Sequence, residues 1–231
     1  MISGETRLVG LLGDPVSGSL SPLMQNAAFA ARGLDWTYVP LAVPAERLED
    51  ALRGLFALGF AGANVTTPHK LAVATLLGAG TPSVNTLVVR DGRLHGSSTD
   101  SAILADLQFD RAAIIGDGGA AIAFAESLPQ AARFSRRGNW PPDVRDADVV
   151  VNATSERDEI LVELRAGQTL VDLPYPRTAT ARAAQAAGAR VLDGFDVLVA
   201  QGAAAFRLWT GLPAPVDVMR AAIRCRTADY A

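Results

Sequence analysis

The sequence predicts an α/β fold with two domains, the second of them built on a parallel, doubly wound sheet. Short apolar runs alternate with helical patterns, and this alternation restarts at Arg111 after a predicted β-hairpin. Because successive strands linked by helices pair in parallel, the alternation is typical of α/β proteins. We expect the first domain to comprise residues 1–101 with 205–231, and the second to comprise residues 102–204.

The elements of the first half follow from apolar runs and turn residues. Arg7 to Leu12 is predicted to be a buried strand that leads into a loop. A helix is expected to run from Ser21 to Ala31, with Ser21 as its N-cap and Gly33 after its end. The periodicity of the next residues predicts a strand over 36–43, a helix over 44–58, a strand over 62–66 and a hairpin of 85–89 with 93–95 around Asp91-Gly92.

The second half begins with a strand from Ala112 to Ile115, a glycine-rich turn and a helix from about Ala120 to Leu128. Shorter apolar runs predict further strands at 132–134, 149–152, 170–172 and 189–192. Two amphipathic helices are expected over 199–210 and 215–226.

The composition narrows the possible functions. Hydrophobic residues make up 49% of the 231 residues and charged residues 19%, which is typical of a globular protein with a core. The net charge of −3 offers no basic field for nucleic acid, and no apolar stretch approaches the roughly 18 residues of a membrane span. The single cysteine, Cys225, and the absence of a signal-peptide pattern favour the cytoplasm.

The chain contains one lysine, Lys70, among 21 lysine and arginine residues. A coding bias that replaces lysine by arginine explains this ratio without any function. Under such a bias, however, a lysine that remains marks a position where arginine is unsuitable. Arginine stays protonated at ordinary pH, whereas lysine can release and accept a proton. The composition therefore makes Lys70 a candidate for proton transfer.

The turn after Ile115 fits a dinucleotide-binding motif. Gly116, Gly118 and Ala121 have the spacing G-x-G-x-x-A between a predicted strand and a predicted helix. Glycines at these positions permit a tight turn and close approach of the backbone to a pyrophosphate at the helix N-terminus. A glycine-rich turn that binds no ligand is the alternative interpretation.

The residues at the end of the next strand favour NADP. In this motif an acidic residue about 20 positions after the first glycine would bind the ribose of NAD. Here that place holds Arg136, between Ser135 and Arg137. Guanidinium groups suit a 2′-phosphate, although a pair of solvated surface arginines is the alternative.

Polar segments recur in a fixed order along nearly the whole chain. They are Ser19-Leu20-Ser21-Pro22 with Asn26, residues 62–70 (GANVTTPHK), residues 84–87 (VNTL), residues 96–100 (GSSTD), the glycine-rich turn, residues 152–155 (NATS), residues 172–176 (DLPYP) and residues 194–202. Together they resemble the shikimate dehydrogenase family within the shikimate and quinate dehydrogenases.

The resemblance implies an α/β substrate-binding domain, a Rossmann-like dinucleotide-binding domain and an NADP-dependent oxidoreductase. Its activity would be the interconversion of shikimate and 3-dehydroshikimate by hydride transfer, in chorismate and aromatic amino acid biosynthesis. Lys70 and Asp100 would be the catalytic pair that handles the proton. The implied substrate ligands are Ser19, Ser21, Thr66, Asn85, Tyr175 and Gln201. The implied cofactor ligands are Gly116, Gly118, Gly119, Ala120, Ser135, Arg136, Arg137, Asn152, Ala153, Thr154, Leu173 and Gly194, with no metal.

Several of these residues also have a purely structural interpretation. Ser21 can be a helix cap, Asn64 can satisfy loop backbone, and Asp100 can cap a helix over 101–107. Gln201 can be a buried helix amide. His69 and His95 are assigned no chemistry.

The chain departs from the family mainly by deletions. Only 15 positions separate Lys70 from Asn85, and 16 separate Arg136 from Asn152, where the family carries longer segments. The expected protein is therefore a shortened member, a monomer or homodimer that acts on a small molecule. A relative that uses quinate, an amino analogue or NAD, and a ligand-binding relative without catalysis, are the alternatives.

Overall fold

The structure is a computed structural model that describes residues 2–227. The last four residues of the predicted first domain, 228–231, lie outside the described residues. Contacts within the chain divide it into two compact units, one with residues up to Thr99 and from Val199 onward, the other Asp100–Leu198. Among residues 2–227, no helix combines the length and the hydrophobicity of a membrane-spanning segment.

The first unit contains a five-stranded sheet with the order β2-β1-β3-β4-β5. Strands β1, β2 and β3 are parallel, and β4 and β5 form an antiparallel hairpin that continues the sheet from β3. The strands are β1 (Arg7–Gly13), β2 (Trp36–Ala42), β3 (Gly62–Val65), β4 (Thr86–Arg90) and β5 (Arg93–Ser97).

The helices of this unit pack their apolar faces on the sheet and on each other. They are α1 (Ser21–Ala31), α2 (Leu48–Ala57), α3 (Lys70–Leu77), the later part of α6 (Gly194–Thr210) and α7 (Val216–Thr227), which also carries Cys225. Helix α1 packs against α7, and the ring of Phe29 stacks on that of Phe206 at 5.5 Å between centroids. Trp209 donates a hydrogen bond from Nε1 to the carbonyl of Leu87 (2.9 Å), which ties α6 to β4.

The second unit contains a five-stranded sheet with the order β10-β9-β8-β6-β7, and all of its pairs are parallel. Its strands are β6 (Ala112–Ile115), β7 (Ala132–Phe134), β8 (Val149–Asn152), β9 (Thr169–Asp172) and β10 (Arg190–Leu192), with helices α4 (Gly119–Ser127) and α5 (Ala179–Ala186). The chain leaves β6 for β7 on one side and returns to β8 on the other. Ligands of doubly wound sheets bind at the carboxyl ends of the strands beside such a reversal.

The α/β fold class and the parallel Rossmann-like sheet predicted from the sequence are confirmed. The hairpin is confirmed in detail, because Asp91 (φ 51°) and Gly92 (φ 70°) both take the positive φ of a type I′ turn.

Some local predictions were wrong. Leu20, not Ser21, is the N-cap of α1, and Ser21 is its first helical residue. In place of the predicted helix over 44–58, the structure has a 3₁₀ turn (Ala45–Arg47) followed by α2. In place of the predicted helix over 101–107, it has a 3₁₀ helix, Asp100–Asp106. Helix α6 starts at Gly194, before the predicted 199, and α3 and α5 were not predicted.

Candidate active site

Most of the candidate substrate residues lie at one edge of the first sheet. Ser19 and Ser21 follow β1, and Thr66 and Lys70 follow β3, which is parallel to β1. Because β4 is antiparallel to β3, Asn85 precedes β4 at the same edge. The topology therefore gathers residues that are 66 positions apart in the sequence.

The buried side chain of Asn64 connects the residues of this edge through hydrogen bonds. Its Nδ2 donates to the carbonyl of Asn85 (3.0 Å) and to Oγ1 of Thr86 (3.1 Å), and its Oδ1 accepts from the hydroxyl of Tyr38 (2.9 Å). The carbonyl of Asn85 can only accept, so the orientation of the Asn64 amide is determined by its partners. Since these bonds engage both polar atoms of a buried side chain, Asn64 has the structural role proposed as the alternative.

Tyr38 connects this network to Ser21. Burial raises the pKa of the Tyr38 hydroxyl far above its ordinary value, and a hydrogen bond from Ser21 opposes that rise. The hydroxyl of Tyr38 donates to Asn64, so its oxygen is left to accept from Ser21. Ser19 lies closer to solvent and its Oγ accepts the backbone N–H of Ser21 (3.2 Å).

Asn85 and Gln201, two candidate substrate ligands, lie side by side. The Oδ1 of Asn85 accepts the backbone N–H of Thr99 (2.8 Å) and the hydroxyl of Thr86 (2.9 Å). These bonds fix the amide so that its Nδ2 points to Oε1 of Gln201, on α6, at 3.5 Å. Asn85 is thus held rigidly, and its amide and that of Gln201 lie together at the sheet edge.

Lys70 is the first residue of α3, and the residues around it are anchored. The preceding His69 is 2% exposed, and its Nε2 lies 2.6 Å from the carbonyl of Val43. The N–H of Thr66 donates to the carbonyl of Leu12 (2.8 Å), and the N–H of Val84 donates to the carbonyl of Lys70 (3.1 Å). The half-buried lysine therefore projects from a well-defined backbone.

The second unit contains the other two predicted residues of the reaction centre. Asp100 is 7% exposed and is the first residue of the 3₁₀ helix. It directly follows Thr99, whose backbone N–H donates a hydrogen bond to Oδ1 of Asn85. Tyr175 lies in the loop after β9, with its ring 5.3 Å from that of Phe195.

The glycine-rich turn has the geometry that a dinucleotide needs. Gly116 has φ 125°, and a Cβ there would lie 3.0 Å from the carbonyl carbon and oxygen of Ala153. Gly118 is the extended N-cap of α4 and faces open space, and Gly119 begins the helix. Since the first N–H groups of a helix lack partners within it, this turn fits a pyrophosphate. Ala120, the next predicted ligand, lies in the first turn of α4.

The predicted adenosine residues line one cleft. It brings together Ser135, Arg136 and Arg137 with Gly116 and Thr154, and it also contains Asp117 of the glycine-rich turn and Ser155 of segment 152–155. The sequence did not single out the other residues that line it, which are Trp140, Glu156, Arg157, Asp158 and Leu161. The guanidinium of Arg136 lies over the ring of Trp140, 5.3 Å from its centroid, and forms an ion pair with Glu159. Arg137 lies 3.6 Å from Asp117. Trp140 could have been noticed as an aromatic residue in a segment without apolar periodicity.

Asn152 is a structural counterpart of Asn64. It is fully buried, its Nδ2 donates to Asp172 (2.7 Å), and its Oδ1 accepts the N–H and hydroxyl of Thr154 (3.2 and 2.8 Å). Burial raises the pKa of the Asp172 carboxyl, which also accepts from Thr178. The side chain of Asn152 thus positions Thr154 at the cleft.

Gly194 and Leu173, predicted to lie beside the nicotinamide, lie against each other. A Cβ on Gly194 would overlap the carbonyl of Pro174 and lie 2.6 Å from that of Leu173. Any side chain at position 194 would therefore displace this backbone. Among the described residues, no group of three or more His, Cys, Asp or Glu is placed to hold a metal ion.

Comparisons with known proteins agree with this arrangement. The profile of the shikimate dehydrogenase substrate binding domain matches residues 11–87, and that of the shikimate 5′-dehydrogenase C-terminal domain matches residues 194–224. A curated relative, shikimate dehydrogenase (NADP(+)) of Anaeromyxobacter dehalogenans, is 41% identical and is covered over 98% of this chain and 99% of its own. That alignment spans 275 residues, so the 231-residue chain is shorter than this relative.

Solved structures give the same family. A shikimate dehydrogenase in complex with NADP⁺ superposes with a TM-score of 0.86 at 30% identity, over 98% of this chain and 97% of that one. Shikimate 5-dehydrogenase from Thermus thermophilus, in complex with NADP(H) and shikimate, gives 0.79 at 31% identity, over 95% and 99%. The chain therefore belongs to the shikimate dehydrogenase family, as a shortened member.

Proposed function

We propose that this protein is an NADP-dependent shikimate dehydrogenase that interconverts shikimate and 3-dehydroshikimate. The observation that carries the proposal is the polar edge of the first sheet, where the topology gathers hydroxyl and amide groups with the only lysine of the chain. The predicted enzyme class and cofactor agree with the names of the relatives.

The substrate is a ring acid with several hydroxyl groups, and the edge carries the complementary groups. We propose that Ser19 and Ser21 bind its carboxylate, with Ser21 redirecting the hydroxyl that it now donates to Tyr38. Thr66, Asn85 and Gln201, with Tyr175 from the second unit, would bind ring hydroxyls. The fixed amide of Asn85 supports this role, since its Nδ2 donates to Gln201 and so places the two amides assigned to the ring hydroxyls next to each other.

We propose that Lys70 moves the proton of the reacting hydroxyl and that Asp100 orients the lysine and balances its charge. A neutral amine can accept that proton and an ammonium can return it, whereas a guanidinium can do neither at ordinary pH. The anchored backbone around Lys70 and the bond between Asn85 and Thr99 support stable positions for both residues.

The second unit would hold the dinucleotide. Gly116, Gly118, Gly119 and Ala120 would bind the pyrophosphate, and Ser135, Arg136 and Arg137 the adenosine end. Asn152, Ala153 and Thr154 would line the dinucleotide at the end of β8, and Leu173 and Gly194 would lie beside the nicotinamide. When bound, NADP supplies the hydride acceptor of the reaction.

On this assignment the substrate domain is 1–101 with 205–231 and the cofactor domain 102–204. We further propose a cytoplasmic location, in keeping with the single cysteine, and a monomer or homodimer, which sedimentation can distinguish.

Steady-state rates with shikimate and quinate, each with NADP⁺ and NAD⁺, test the proposal. We expect kcat/KM to be highest for shikimate with NADP⁺. Higher values for quinate would assign the enzyme to the other ring acid, and higher values for NAD⁺ would contradict the cofactor assignment. Binding of shikimate by calorimetry without turnover in any combination would identify a ligand-binding relative instead.

A further inference from the structure

We propose that Glu159 is a specificity residue that competes with the 2′-phosphate of NADP for Arg136 and so limits the preference for NADP over NAD. The inference rests on the proposed function, because it concerns the same cofactor cleft. The sequence did not indicate a role for Glu159. The structure shows that its carboxylate forms an ion pair with Arg136.

Glu159 is held in place by its backbone. Its N–H donates to Oε1 of Glu156 (3.3 Å), and its carbonyl accepts from the hydroxyl of the fully buried Thr180 (3.2 Å). The carboxylate of Glu156 also accepts the N–H groups of Arg157 and Asp158, and these backbone bonds lower its pKa. This turn therefore fixes the position from which Glu159 reaches Arg136.

Arg136 is constrained as well. Its guanidinium lies over the ring of Trp140 and pairs with Glu159, and the two side chains of the pair are 58% and 52% exposed. Exposed ion pairs contribute little to stability and are easily exchanged. A phosphate can therefore displace Glu159 from the guanidinium, but it must first break the existing pair.

The charges of the cleft make this exchange significant. The cleft is lined by three arginines (Arg136, Arg137 and Arg157) and by three acids (Asp117, Glu156 and Asp158), and Glu159 pairs with Arg136. The cleft therefore has no excess of positive charge. A 2′-phosphate, with its charge of about −1.5 to −2 at neutral pH, would meet the Glu159 carboxylate at the shared guanidinium. NAD lacks this phosphate and would not be affected.

Calorimetric titration of the folded full-length chain with NADP⁺ and NAD⁺ tests this inference through Kd rather than activity. We expect Glu159→Gln to lower the Kd for NADP⁺ by about three- to fivefold, the upper range for one exposed ion pair, and to change that for NAD⁺ by less than about twofold. An unchanged or higher Kd for NADP⁺ would overturn the inference.

Asp146→Asn is a matched control, because it removes the same charge from an exposed acid that pairs with Arg111 at 3.9 Å, before β8 at the amino ends of the strands. We expect it to leave both Kd values unchanged; an equal gain there would show a general charge effect instead. In an Arg136→Ala background, Glu159→Gln should no longer favour NADP⁺, and a retained gain would also contradict competition. A wild-type chain that binds neither dinucleotide would contradict the proposed function itself.

Discussion

At the scale of single residues, similar side chains have different tasks according to which of their atoms the protein already uses. Asn64 and Asn152 occupy equivalent places, each near the end of the strand that pairs with the first strand of its unit. Both amides are buried and engaged by protein partners. Asn85 is also engaged through both polar atoms, but its Nδ2 donates to Gln201, another candidate substrate ligand. This difference could not be predicted from the sequence, because it depends on partners that are distant along the chain.

Substitution of Lys70 is the most direct mutational test of the proposed proton transfer. We expect Lys70→Ala to lower kcat on shikimate by about 10²- to 10⁴-fold, the usual contribution of a proton-transfer group. Lys70→Arg, which keeps the positive charge but cannot release a proton, should be nearly as slow. Wild-type turnover by the arginine variant would show that only the charge matters, and steady-state kinetics with circular dichroism as a folding control would decide.

Arg136 carries the expected selectivity for NADP. We expect Arg136→Ala to raise KM for NADP⁺ by about tenfold or more, because hydrogen bonds to charged groups contribute about 1.5–3 kcal/mol. The change for NAD⁺ should be clearly smaller. Equal changes for the two cofactors would show that the guanidinium does not bind the phosphate.

At the scale of elements, turn residues and apolar runs predicted those strands and turns whose geometry depends on residues close together in the sequence. Asp91-Gly92 supplies the two positive φ angles of its hairpin. The strands at 112–115, 132–134 and 149–152 have the bounds of the apolar runs that predicted them. Helix α3 was missed because Thr67-Pro68 suggests a break and because its residues carry little amphipathic pattern. The sequence alone could not show that α3 begins at Lys70, since this depends on the anchoring of His69 to Val43.

Two glycines allow the packing of the first unit to be tested with the same substitution. Gly62 lies in β3, where a Cβ would overlap the carbonyl of Leu87 and lie 2.6 Å from Nε1 of Trp209. We expect Gly62→Ala to lower the free energy of unfolding by about 1–3 kcal/mol or more. Gly54, in α2, faces open space, so Gly54→Ala should raise it by about 0.5–1 kcal/mol. Urea denaturation measures both, and a neutral Gly62→Ala would contradict the close contact of α6 with β3.

At the scale of the whole molecule, the family, the α/β class and the shortened length were all predictable, because ordered motifs along a chain specify them together. The charge distribution in the cleft at Arg136 was not predictable, since Glu159 is 23 positions from Arg136. The deletions leave the glycine turn and the cleft at Arg136 present.

The stability of the molecule should fall in acid. The guanidinium of Arg145 lowers the pKa of Asp143 to about 2, and backbone N–H groups lower the pKa of Asp148 and Glu156. A lowered folded-state pKa stabilises the protein above the ordinary pKa, and this contribution is lost as the pH falls through the folded value. Burial raises the pKa of Asp172, so protonation there acts in the opposite direction. The lowered groups outnumber it, and the net free energy of unfolding should decrease between pH 4.5 and about 2.

Asp143→Asn checks this attribution. Its stability should decrease less than that of the wild type between neutral pH and about pH 3, because the lost carboxylate no longer takes up a proton. Asp146→Asn, which removes an exposed carboxylate that pairs with Arg111, is the control for a general effect of surface charge. Denaturation curves of Asp143→Asn that follow the wild-type pH dependence would show that Asp143 does not contribute to it.

The proposed reaction of this chain is the oxidation of shikimate at a ring hydroxyl with NADP⁺. Its most direct test is incubation of the purified wild-type protein with both compounds, followed by quantification of the products by NMR spectroscopy. We expect equal amounts of 3-dehydroshikimate and NADPH. Unchanged shikimate in the presence of the folded protein and saturating NADP⁺ would contradict it.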